Sequence, residues 1–129
     1  MRIFKTRNFA RFQRKERIDD ATLRKAISAA EQGLVDADLG RGLIKQRVAR
    51  PREGKRGGYR TIIAWRAADR CVFLYGFAKN QQANISKEDE RDLRDFGNMI
   101  LALDGSGIEI MMKGKELVEV KHGKDNEVS

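Results

Sequence analysis

Between residues 41 and 60 the chain sets eight basic side chains, Arg41, Lys45, Arg47, Arg50, Arg52, Lys55, Arg56 and Arg60, against a single acid, Glu53. Such a cluster suits phosphate chemistry. Lysine supplies a compact point charge, and arginine a planar fork that matches two phosphate oxygens. Spacing organises part of the cluster. In an extended segment successive side chains point to opposite faces, so Lys45 and Arg47 share one face while Ile44, Gln46 and Val48 share the other. Arg60 falls in the next apolar run, and spacing alone does not fix its face. A sheet lined with these cations would hold an RNA backbone by charge and forked hydrogen bonds. Tyr59 and Trp65 could stack bases there, although an aromatic in a strand serves a core as readily.

Other chemistries are excluded by what the chain lacks. Its one histidine, His122, lies near the C-terminal end, and its one cysteine, Cys71, lies inside an apolar run. A histidine-based nuclease, a Ser-His-Asp hydrolase and a Cys/His zinc site are therefore all short of residues. GKRGG at 54–58 is not a phosphate-binding P-loop, because the G-x-x-x-x-G-K-[ST] pattern is absent. The carboxylates at 88–95 read as the solvated face of a helix, not a Mg²⁺ site, so no metal or cofactor is expected. A lone cysteine cannot form an internal disulfide, which points to a reducing cytoplasm and an inert, buried thiol. No run approaches the ~20 apolar residues of a membrane span. The N-terminus is arginine-rich and free of acids until Glu16, as organelle presequences are, but Ile3, Phe4, Phe9 and Phe12 read as core anchors.

Charge is also unevenly placed along the chain. Residues 1–60 carry 17 Lys/Arg against 7 Asp/Glu, and residues 61–129 carry 10 against 12, so all the excess of the net +8 lies in the first half. That asymmetry is the footprint of a cationic face for a polyanion.

The elements that must position the cations can be read from capping and periodicity. Arg2 to Lys5 is a short strand, and Thr6 caps a basic helix in which Phe9 and Phe12 share a face. Asp19 or Asp20 caps a second helix carrying Leu23, Ala26, Ile27 and Ala30, stopped by Gly33. Leu43 to Ala49 alternates as a strand, 50–58 is a loop, and Tyr59 to Trp65 and Cys71 to Phe77 are strands, the latter buried on both faces. Ala67 to Arg70 make the hairpin turn between them. Ser86 opens a helix with an acidic first turn and an apolar stripe of Leu93, Phe96, Ile100 and Leu103. Gly105 and Gly107 end that pattern before an apolar piece, Ile108 to Met112, and a last strand from Leu117 to Val120. The order is β-α-α-β-β-β-α-(β), an α+β fold with helices over one sheet face and at least part of the other open.

GGYRTIIAWRAADRCVFLYGFAKN at 57–80, followed by the acidic helix from Ser86, resembles the RelE/ParE superfamily of bacterial toxins, and most nearly its HigB-like RelE branch. The sharpest parts are Gly58-Tyr59-Arg60 at a strand start and Phe77-Ala78-Lys79 at a strand end. The resemblance implies a single RelE-like domain over 1–122 with a disordered tail at 123–129. It also implies a cytoplasmic, ribosome-dependent mRNA endonuclease that blocks translation without a metal and is neutralised by a cognate antitoxin, acidic or DNA-binding. On this resemblance Lys45, Arg47, Arg60 and Lys79 are the catalytic set, with Arg50, Arg52, Lys55, Arg56 and Tyr59 at the RNA. The loop between Arg47 and Arg60 is longer than in relatives, so Arg50, Arg52 or Lys55 can stand in a matched position instead. Ser86 stands where some relatives carry a tyrosine.

The implied reaction is attack of a 2′-hydroxyl on the adjacent phosphate. Crowded cations favour a neutral amine, which suits a lysine of the set, Lys45 or Lys79, to proton transfer. Arg60 suits the developing charge on phosphorus. Two other functions fit the same fold: a ParE-like toxin that binds and inhibits DNA gyrase, and a basic RNA- or DNA-binding accessory module. Convergent cations favour cleavage over pure protein binding.

Overall fold

The protein is described by a computed structural model covering residues 1–50, 58–66, 69–82 and 84–121. Arg52, Lys55 and Arg56 of the basic loop, Ala67 and Ala68 of the expected hairpin turn, His122 and the tail at 123–129 lie outside the described residues. The elements run β1 (Arg2–Thr6), α1 (Arg7–Glu16), α2 (Asp20–Glu31), β2 (Ala37–Gly40), β3 (Leu43–Val48), β4 (Tyr59–Arg66), β5 (Arg70–Ala78), α3 (Lys87–Leu101), α4 (Gly105–Lys113) and β6 (Leu117–Glu119). Helix starts follow from side chains that satisfy orphan backbone donors. Thr6 accepts the Phe9 N–H, Asp19 that of Thr22, Ser86 that of Asp89 and Asp104 that of Gly107.

The sheet has the strand order β2-β3-β4-β5-β1-β6, with β1 parallel to β5 and the other neighbours antiparallel. This is the expected α+β fold, with two elements more than the sequence suggested, β2 and α4. It also differs in layering, because helices pack on both faces. On one face α1 and α2 bury Phe9, Leu23 and Ile27 against Ile44, Val48, Tyr59 and Phe73. On the other, Ile100 and Leu101 of α3 and Ile108 of α4 cover Phe4, Leu43, Ile62, Val72 and Leu74. The buried stripe of α3 runs through Gly97, Ile100 and Leu101, while Phe96, expected in it, is 40% exposed. Gly97 explains the shift. A Cβ there would lie 2.7 Å from the Ala64 Cβ, so a bare glycine lets α3 settle directly onto β4.

One polar cluster ties the sheet to the two N-terminal helices. Lys5, buried on β1, donates to Gln13 Oε1 at 2.5 Å and Asp20 Oδ1 at 3.0 Å. Gln13 Nε2 and the Lys121 backbone N–H also donate to Asp20, so β1, α1, α2 and the chain after β6 meet at one carboxylate. Burial alone would raise the pKa of Asp20, but these hydrogen bonds and the Lys5 charge outweigh it and hold the group below the ordinary carboxylate value. Cys71 is fully enclosed, and desolvation pushes its thiol up to about 12, which fits an inert core residue. Among the described residues no helix is long and apolar enough to cross a membrane.

Candidate functional site

The strand register decides which cations meet. β3 and β4 pair so that Arg47 stands opposite Arg60 and Lys45 opposite Ile62. Directly paired residues of neighbouring strands share a sheet face. Leu43 and Ile62 belong to the core beneath α3, so Lys45, Arg47 and Arg60 lie on the α3 side of the sheet. Ile44, Gln46 and Val48 take the opposite side, as alternation required. β5 continues the row, with Phe77 opposite Arg60. An irregularity helps to set this alignment: Ile62 pairs with Tyr75 and Ile63 with Phe73, which leaves Leu74 as an extra residue in β5.

Within this patch the cations differ in environment. Arg47 is exposed, whereas the Arg60 side chain is 8% exposed and that of Lys45 19%. Arg60, buried, and Lys45, half-buried, face one carboxylate: Asp36 Oδ2 lies 3.4 Å from Arg60 Nε and 3.8 Å from Lys45 Nζ. Asp36 sits just before β2 and is held there from behind the sheet. Its N–H donates to Gln46 Oε1 at 3.2 Å, and Gln46 Nε2 donates to the carbonyls of Ala26 and Leu34, both at 2.9 Å. Among the described residues the ion-pair partner of the Arg60 side chain is Asp36.

The remaining expected residues distribute unevenly. Lys79 is exposed immediately past β5, beyond the Tyr59–Ala78 pair and so at the same end of the sheet as Arg47 and Arg60. Arg50 lies at the mouth of a groove of about 590 Å³ between α2 and β3, which Lys25, Ala29, Leu34, Val48 and Gly58 also line. Tyr59 requires a correction. It was expected to offer its ring to RNA, but it is 2% exposed, on the α1 side of the sheet. Its hydroxyl donates to Glu16 Oε1 at 2.7 Å, Phe12 meets its ring edge-on, and the Arg50 guanidinium carbon lies 5.6 Å from its centroid. Trp65 packs against the same core at the far end of β4, remote from Arg60.

Asp36 and Gln46 were not singled out from the sequence. Gln46 offered a faint signal, as a polar residue on the apolar face of an alternating strand. Asp36 offered none, since its meeting with Arg60 depends on β2 closing onto β3.

What this end of the sheet can do follows from its charges. Lys45, Arg47 and Arg60 converge on one sheet face, with one carboxylate against two of them and a further cation in Lys79 nearby. It can hold an anionic diester and place a proton acceptor beside it. Comparison with curated proteins gives no match. Residues 1–120 match the family described as RelE toxin of the RelE/RelB toxin-antitoxin system. The chain therefore belongs to the RelE toxin family, whose members are the toxin component paired with an antitoxin.

Proposed function

We propose that the chain is a ribosome-dependent mRNA endonuclease of the HigB-like branch, which halts translation until its antitoxin covers it. One observation carries this reading: Arg47 and Arg60 are placed face to face across two paired strands, with Lys45 beside them. Like charges directly opposite one another cost stability, and a docking scaffold gains nothing from them. A phosphodiester between them would relieve that cost. Its 2′-hydroxyl oxygen attacks the adjacent phosphorus, the P–O5′ bond breaks, and the products are a 2′,3′-cyclic phosphate and a 5′-hydroxyl. The 2′-hydroxyl proton passes to a base, Arg60 and Lys45 take up charge on the non-bridging oxygens of the pentavalent phosphorus, Arg47 holds the strand from the solvent side, and Lys79 protonates the departing oxygen. A ribosome would contribute by holding the mRNA in line for attack.

A second reading is a ParE-like toxin that inhibits a topoisomerase by binding it. The Arg60–Asp36 ion pair favours it, because a purely structural arginine looks the same. Purified protein added to ribosomes carrying a defined mRNA separates the two. The nuclease reading predicts new 5′-hydroxyl ends within the ribosome-bound message and unchanged gyrase supercoiling. Intact message together with blocked supercoiling supports the second reading.

A further inference from the structure

We propose that Asp36 is the proton acceptor in this cleavage, an assignment that rests on the ribonuclease reading above. Attack by a 2′-hydroxyl needs a base within hydrogen-bond reach of that oxygen and close to the bound phosphate. The chain has no histidine among its described residues to serve, and Lys45 and Arg60 are themselves cations. Asp36 is the carboxylate that this patch holds against both of them, at 3.8 Å from Lys45 Nζ and 3.4 Å from Arg60 Nε. Among the described residues these are the charged groups that face it, one from β3 and one from β4.

Three features suit Asp36 to act on a substrate rather than merely to neutralise its neighbours. Its contacts are looser than the roughly 2.7–2.9 Å of a tight charge-assisted hydrogen bond, so a phosphodiester can engage both cations without first breaking a closed pair. Its side chain remains 29% exposed, more than either cation it faces. Its backbone is pre-set: Gln46, buried on the other side of β3, accepts from the Asp36 N–H and donates to the Ala26 and Leu34 carbonyls. A carboxylate carried on a backbone fixed in this way has less to order during the reaction.

In the proposed step the 2′-hydroxyl proton passes to an Asp36 carboxylate oxygen as the 2′-oxygen bonds to phosphorus. The P–O5′ bond breaks, and the 5′-oxygen takes a proton from Lys79 or solvent.

The test is single-turnover cleavage of a defined mRNA on ribosomes across pH, with wild type, Asp36→Asn and Asp36→Ala. The expected result for Asp36→Asn is unchanged ribosome binding, a rate lower by about 10²-fold or more, and loss of the acidic limb of the pH profile. Asp36→Ala should recover rate when formate is added, because a free carboxylate can enter the space left. Should Asp36→Asn melt early, the formate response of Asp36→Ala still decides the matter. Wild-type cleavage that Asp36→Asn keeps or exceeds overturns the base role and makes Asp36 an internal competitor for the phosphate site. A slowed variant that keeps the acidic limb and ignores formate reduces it to a structural ion pair. Absence of cleavage by wild type removes the ribonuclease reading and this assignment together.

Discussion

Arg47 and Arg60 face each other as direct cross-strand partners on β3 and β4, one exposed and the other almost enclosed. Opposed like charges in a sheet are destabilising by a few tenths to about 1 kcal/mol. Removing the exposed member should therefore strengthen the fold. Arg47→Gln is expected to raise the melting temperature by a few degrees at most, about what ~0.5 kcal/mol gives in a domain of this size. The same variant should cleave ribosome-bound message more slowly. Melting curves paired with cleavage rates check both halves. A variant that is less stable than wild type would mean that Arg47 makes a stabilising contact outweighing the repulsion.

The cluster around Asp20 gives the fold a pH dependence of known sign. The folded-state pKa of Asp20 is lowered, so its contribution is fully present above the ordinary carboxylate value of roughly 4 and is lost as pH falls through the folded value. Asp19, lowered chiefly by its hydrogen bonds from Thr22, acts in the same direction. Stability should thus fall below about pH 4, and the fall should be shallower in Asp20→Asn. At neutral pH, Asp20→Ala leaves the buried Lys5 ammonium without its carboxylate and should cost about 3 kcal/mol. Melts between neutral and acid pH measure both effects. Parallel acid slopes in wild type and Asp20→Asn would contradict the assignment.

Binding to ribosomes should weaken steeply with salt. The excess charge of residues 1–60 and the cations of β3 and β4 would neutralise several phosphates, and each releases counterions. The logarithm of affinity should fall linearly with that of salt concentration, and Arg47→Gln should make the slope smaller by about 1. A flat salt response would count against a polyanion as the partner.

Much of the fold is legible where the signal is local. Thr6, Asp19 and Ser86 cap helices through their own hydroxyl or carboxylate, so residues three apart announce the start. The alternation of Leu43 to Val48 placed Lys45 and Arg47 on one face before any partner strand was known. Elements that exist because of distant contacts were hidden. β2 is the short run Ala-Asp-Leu-Gly, held by pairing with β3 and by Arg94 of α3, which donates to the Leu39 and Gly40 carbonyls. α4 opens Gly-Ser-Gly, a poor helix former, and is sustained by its Asp104 cap and by Ile108 in the core.

The site divides in the same way. Residue type and spacing reveal the cations, whereas burial and partnership do not. Tyr59 reads as an aromatic beside a basic loop, yet strand parity sends it to the α1 side, under Phe12. The enclosure of Arg60 and its meeting with Asp36 arise only once β2, β3 and β4 are in register.

Single-turnover cleavage of mRNA on ribosomes shows whether Arg60 stabilises charge on a scissile phosphate, as proposed. Folded Arg60→Ala should cleave about 10²–10³-fold more slowly than wild type, as loss of one charge-stabilising donor typically causes. Arg60→Lys should recover only part of the rate, since a point charge cannot reproduce the fork. Because Arg60 is buried beside Asp36, both variants need a melting curve showing that they are folded at the assay temperature. A folded Arg60→Ala that cleaves at close to the wild-type rate would show that Arg60 does not act on the scissile phosphate.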